Sequence, residues 1–247
     1  MDFYRKLRQS CPRLRLTRDR DACEIYGRDW TLFRDPAPAA VAFPASTADV
    51  CELVAAAAEH GIPLVPSGGR TGLSGGAVAA DGEVVVSLER MRRIGEFDPV
   101  DRTLVVEAGA VTATVQEAAR SRGLYYPVSF ASEGSSQIGG NIATNAGGIR
   151  VLRYGTTRDR VAGLRVVTGR GEVLALNRGL VKNATGYDLR HLFVGSEGTL
   201  GIVVEATLRL TDPPPPSRVL LLGVCGMAAL MDLFAQLRAA LSLSAFE

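Results

Sequence analysis

Two glycine-dense stretches constrain the fold more than any other feature of this chain: Pro66–Gly76 (PSGGRTGLSGG) and Ser135–Gly148 (SSQIGGNIATNAGG), which together carry nine of its 27 glycines. Ser, Thr and Asn stand between the glycines, with little charge. Glycine lacks a Cβ, so such a segment turns tightly and brings its backbone N–H groups close to a ligand. Convergent N–H groups form a concave, partly positive nest that suits a pyrophosphate. Two such loops, each led into by an apolar strand-like or coil segment, predict a long ligand held at both ends.

The two commonest nucleotide sites fail on spacing and context. A Rossmann turn needs GxGxxG between a strand and a helix. Here the first loop has glycines at 68, 69, 72, 75 and 76 and runs toward a predicted strand. A Walker A loop needs GK followed by Ser or Thr, and the sequence has none.

The elements around the loops are read from patterning. Residues 1–35 form a basic lead-in whose arginines are diluted by Asp2, Asp19, Asp21, Glu24 and Asp29. A solvated helix explains it better than an anionic-partner patch. Val41–Pro44 is a predicted strand, and Ser46 or Thr47 caps a helix that runs to Gly61, with Asp49 and Glu52 near its positive end. Ile62–Val65 completes a βαβ unit. Strands are predicted at Glu83–Leu88 and Thr103–Ala108 on either side of a charged turn, then a helix over Thr112–Arg122. Val161–Thr168 and Glu172–Leu176 read as a hairpin, Gly186–Phe193 as a short helix and Gly201–Leu210 as an alternating strand. Four consecutive prolines, Pro213–Pro216, cannot continue a sheet and make a stiff spacer. Beyond them come a predicted strand, Arg218–Val224, and a helix, Met227–Ala240. A lone βα pair buries too little to be a domain, so the sequence reads as cut short.

A net charge of +2 gives no whole-protein argument for nucleic acid. No apolar stretch reaches the roughly 18 residues of a membrane span, and the N-terminus lacks the apolar core of a secretory signal. Cys11, Cys23, Cys51 and Cys225 are widely spaced with no CxxC pair, which fits reduced thiols in the cytoplasm and leaves peripheral membrane association open.

The loop PSGGRTGLSGG, the segment GGNIATNAGG and the run KNATGYDLRHLFVGSEGTLGIVVEATLRL resemble the FAD-binding (PCMH-type) domain of the vanillyl-alcohol oxidase superfamily. Within it they are most similar to the D-lactate, glycolate and D-2-hydroxyglutarate dehydrogenases, and the resemblance covers about residues 36–247. UDP-N-acetylenolpyruvoylglucosamine reductases share the fold, but KNATGYDL and GSEGTLG fit the dehydrogenases better. The resemblance implies an α+β fold: a PCMH-type FAD-binding unit of two α/β subdomains over 36–212, a proline linker at 213–217, and the start of a ferredoxin-like cap domain at 218–247.

Site roles follow by position from the same resemblance. Pro66, Ser67, Gly68, Gly69, Arg70, Thr71, Gly72, Leu73, Ser74, Gly75 and Gly76 would wrap the FAD pyrophosphate, with hydroxyls from Thr71 and Ser74. Gly134, Ser135, Gly139, Gly140, Asn141, Thr144, Asn145 and Gly148 would line the ribityl chain and flavin ring. Glu197, Gly198, Gly201 and Ile202 would close the adenine or ribose side. Some members hold flavin covalently through His or Cys near these loops. Neither loop here contains either residue, so the FAD is expected to be non-covalent.

The implied reaction is oxidation of a D-2-hydroxy acid by hydride transfer to FAD. The family supplies its metal and carboxylate ligands from the cap, and a lone His60 and His191 make no metal site. The catalytic residues therefore lie outside this chain, which serves as the FAD-binding part. The alternative is a non-catalytic FAD-binding fragment or subunit that needs a partner; an electron acceptor is a further expected partner. Lys182 and Asp188 either order a loop near the flavin or form an ion pair at a helix start. Arg150 and Arg153 either neutralise the cofactor's charge or lie at the surface.

Overall fold

A computed structural model describes residues 3–31, 33–177, 179–180 and 182–247; Asp2, counted above in the lead-in, lies outside them. The first layer comprises α1 (Phe3–Ser10), β1 (Arg15–Thr17), α2 (Arg20–Tyr26), β2 (Ala40–Phe43), α3 (Thr47–His60), β3 (Leu64–Ser67) and β4 (Val84–Ser87). Its sheet has the order β1-β2-β4-β3. The pairs β2–β4 and β3–β4 are parallel, and β1 closes one edge antiparallel to β2. Strands buried on both faces read as continuous apolar runs, as AVAF and VVVS do here.

The predicted helix forms because both its ends carry stop signals. Ser46 Oγ accepts from Asp49 N at 3.1 Å, and Gly61 ends the helix at φ +63°, a conformation that glycine adopts without strain. The lead-in is more than a solvated helix. Leu7, Cys11, Leu14 and Leu16 are buried in the main core, and β1 extends the sheet.

The second layer follows with β5 (Ile94–Asp98), β6 (Thr103–Glu107), α4 (Thr112–Arg120), α5 (Ile138–Ala143), α6 (Val151–Tyr154), α7 (Thr157–Arg160), β7 (Val161–Thr168), β8 (Val173–Leu176), α8 (Arg190–Phe193), β9 (Gly201–Arg209) and α9 (Met227–Ala240). Its antiparallel sheet has the order β5-β6-β9-β7-β8. The expected hairpin is β7–β8. The charged turn hides β5, whose register shift between Ile94 and Phe97 breaks the period-two pattern that would have revealed it. Of the helix predicted over Gly186–Phe193, only Arg190–Phe193 is helical. Together the two layers are an α+β architecture with one main core.

The predicted strand at Arg218–Val224 does not form. A strand needs a neighbour to pair its backbone groups, and no described strand lies beside this one. Its apolar side chains stand in solvent, with Val219 97% and Leu221 98% exposed. The helix α9 forms as expected, with none of its residues fully buried.

Tyr126 is fully buried, and its hydroxyl has no hydrogen-bond partner among the described residues. Burial also pushes that phenol well above its ordinary pKa. Removing the hydroxyl removes an unpaid desolvation cost, so Tyr126→Phe is expected to raise stability by about 1 kcal/mol, read from the denaturant midpoint.

Candidate functional site

The two glycine stretches face each other across a cleft of about 490 Å³. The first leaves the carboxyl end of β3, one of the parallel strands, the end at which ligands of α/β folds commonly bind. The loop is open for a definite reason. Among the described residues, the amides of Gly69, Arg70, Thr71, Gly72, Leu73 and Ser74 donate to no carbonyl and no side chain. Six consecutive residues of the cleft lining therefore keep backbone donors without an internal acceptor, the kind of group an anion nest uses.

The loop is shaped from outside itself. Arg70 has φ +57°, its Nη1 donates to the Gly68 carbonyl at 3.3 Å, and its guanidinium lies 4.4 Å over the Tyr26 ring. Gly75 N donates to Asp29 Oδ2 at 3.1 Å. The two glycine stretches also touch directly, since a Cβ on Gly69 would meet the Ser135 carbonyl oxygen at 2.2 Å.

The opposite wall is α5, pinned by a buried polar cluster. Asn141 Nδ2 donates to Thr112 Oγ1 at 2.7 Å, and Thr112 Oγ1 shares a hydrogen bond with Ser136 Oγ at 2.7 Å. Gly139 N donates to the Ala108 carbonyl at 2.7 Å. Gly140, by contrast, has nothing within 4 Å of where a Cβ would stand. The third side is Glu197–Val203: Glu197 N donates to Ala143 O at 2.9 Å, and Gly198 packs on the Pro66 ring.

Two buried polar atoms on the cleft wall lack partners among the described residues, Ser67 Oγ and Gln137 Oε1. Leu88, Ala108, Phe130, Ala143, Ile202 and Val203 give the remaining wall an apolar surface. Unspent donors, orphaned polar groups and an apolar wall match the three chemistries of FAD: phosphates, hydroxylated chain and flat ring.

All but four of the residues expected at the site line this cleft. The four are Gly75, spent on Asp29; Gly134 and Ser135; and Asn145, whose Oδ1 accepts from Arg158 N at 3.0 Å. The lining also includes Asp29, Ala77, Leu88, Ala108, Phe130, Ser132, Gln137, Ala143, Ala146 and Val203, which sequence reasoning passed over. Leu88 and Ala108 end predicted strands, which was the available signal; Asp29 had none.

The other candidates lie outside the cleft lining. Arg150 donates to the Tyr125 hydroxyl, and Arg153 lies 5.4 Å from the Tyr154 ring centroid. His60 ends α3 within 3.3 Å of Ser10 Oγ, and His191 Nδ1 is 3.0 Å from Arg158 Nη1. Among the described residues no three His, Cys, Asp or Glu side chains cluster as a metal site.

Asp188 pairs with Arg190 at 2.5 Å, and that guanidinium also reaches the carbonyls of Val161 and Ala162 at 2.7 Å each. The hydrogen bond from Arg190 holds the Asp188 carboxyl below its ordinary 3.8, at about 2. A depressed carboxylate contributes stability that is present above about pH 4 and lost as pH falls through about 2. Asp188 is 40% exposed, so solvent screening leaves about 1 kcal/mol at most. Urea midpoints of wild type and Asp188→Asn are expected to differ at pH 7 and to converge near pH 2.

Comparison with known proteins supplies independent findings. Residues 38–177 match the family model described as FAD binding domain. The chain is 61% identical over 241 residues to a D-2-hydroxyglutarate dehydrogenase of Xanthomonas citri pv. viticola, covering 98% of this chain and 51% of that protein. It is 41% identical to the glycolate oxidase subunit GlcD of Bacillus subtilis, covering 80% of this chain and 42% of that one. In fold it resembles an alkyldihydroxyacetonephosphate synthase, with a TM-score of 0.73 at 24% identity over 81% of this chain and 38% of that one. The chain thus spans about half the length of the curated relatives it matches.

Proposed function

The chain belongs to the family of FAD-binding domains, and from that premise we propose that the cleft holds FAD non-covalently for oxidation of a D-2-hydroxy acid. The observation that carries the reading is the row of six unspent amides at residues 69–74, which supplies donors for a diphosphate. Gly140, Asn141, Ser67 and Gln137 would meet the hydroxylated chain, and Leu88, Phe130, Ile202 and Val203 the ring. Among the described residues no Cys or His lines the cleft, which supports a non-covalent hold. Bound FAD supplies a hydride acceptor. The chain's own residues orient it and shield it from water.

D-2-hydroxyglutarate is the substrate we favour, because relatives at 61% and 56% identity carry that name. We place the FAD-binding unit at 36–212, a linker at 213–217 and a separate element at 218–247. The substrate-activating groups and the electron acceptor belong to other sequence or to a partner. The exposure of Val219, Leu221, Met227 and Met231 favours a further element that covers this face. Four free thiols fit the reducing cytoplasm, and among the described residues no helix is long and apolar enough to cross a membrane.

Titrating the purified chain with FAD tests the reading. Expected is saturable quenching of flavin fluorescence, with all flavin released by acid. A chain that takes up no FAD overturns it. Anaerobic D-2-hydroxyglutarate is expected to leave the bound flavin yellow in this chain alone; bleaching would place substrate activation here as well.

A further inference from the structure

The amide row is held open by a segment that precedes the matched family region. Three consecutive grips run along the first glycine loop. The Tyr26 ring lies under the Arg70 guanidinium at 4.4 Å, Trp30 N donates to the Gly72 carbonyl at 2.9 Å, and Asp29 Oδ2 accepts from Gly75 N at 3.1 Å. Tyr26 is itself fixed, its hydroxyl donating to Glu89 Oε2 at 2.5 Å and its ring meeting Phe43 edge-on. Asp29 is only 8% exposed and its other oxygen accepts from Thr31 N at 2.8 Å. A buried carboxylate with both oxygens spent on amides is a fixed anchor. It takes up the Gly75 amide and leaves residues 69–74 facing the cleft.

We infer that residues 26–31 form a clasp that presets the first glycine loop for the cofactor diphosphate, with Asp29 as its positioning residue. The inference rests on the proposed FAD site. A free glycine-rich loop samples many conformations, and binding would have to order it; the clasp meets that cost during folding. Asp29 acts through the loop backbone and assists no chemical step.

The test compares wild type, Asp29→Asn and Asp29→Ala by FAD titration and by hydrogen exchange of the FAD-free protein. Asn is isosteric and keeps one acceptor, so it guards against loss of folding. Expected is a graded loss of FAD affinity, about tenfold for Ala as for one lost charge-assisted hydrogen bond, and less for Asn. Exchange should speed in peptides covering 69–76 and stay unchanged in β2 and β4. FAD affinity within twofold of wild type in both variants would overturn the clasp while leaving the FAD site standing. Faster exchange throughout β2 and β4 would also overturn it, by showing a merely structural role. Failure of the wild type to bind FAD would instead sink the site itself.

Discussion

Gly69→Ala is expected to abolish FAD uptake and to cost about 3 kcal/mol of stability, as other forced overpackings do. The new methyl would stand 2.2 Å from the Ser135 carbonyl oxygen and 2.7 Å from Ser136 Cα. Both are backbone atoms, so no flexible side chain can swing away. Ser136 is tied to Thr112 in the polar cluster that pins α5, so the second stretch cannot retreat alone. The two glycine stretches must separate, which moves the amide row off the opposite wall. A lowered denaturant midpoint together with absent flavin binding is the expected result.

Gly140→Val is expected to separate binding from folding. Nothing lies within 4 Å of the Gly140 Cβ position, and the residue lines the cleft. Its Cβ would stand in open space at the cleft wall, so the added side chain is directed at ligand space. Helix propensity changes by only a few tenths of a kcal/mol, so the midpoint should stay within about 1 kcal/mol of wild type. FAD affinity should fall at least about a hundredfold, the scale of an overpacked ligand contact. A stable variant that still binds FAD normally would remove α5 from the site.

Local chemistry made much of this fold legible. Ser46 and Gly61 bracket α3 because caps and left-handed stops act within a few residues. The runs AVAF and VVVS announce strands covered on both faces. Long-range pairing carried no such mark: β9 sits between β6 and β7, and nothing in its alternation names those neighbours. Arg218–Val224 shows the converse, an apolar run of strand-like residues that stays unpaired because no described strand adjoins it. In the site, the glycine spacing excluded Rossmann and Walker loops, and motif resemblance supplied the cofactor. Asp29 was unreadable because its meaning lies in a contact with Gly75, 46 residues away, made from a lead-in that composition assigned to solvent.

On the proposed reading, the amides of residues 69–74 receive the FAD diphosphate. Backbone amide resonances of the ¹⁵N-labelled chain, recorded while FAD is added, test it most directly. The signals of residues 69–74 are expected to shift downfield and slow in exchange with solvent as FAD saturates the protein, since each gains an acceptor. Saturable FAD binding that leaves these six amides unmoved, with the perturbed signals elsewhere, would contradict it.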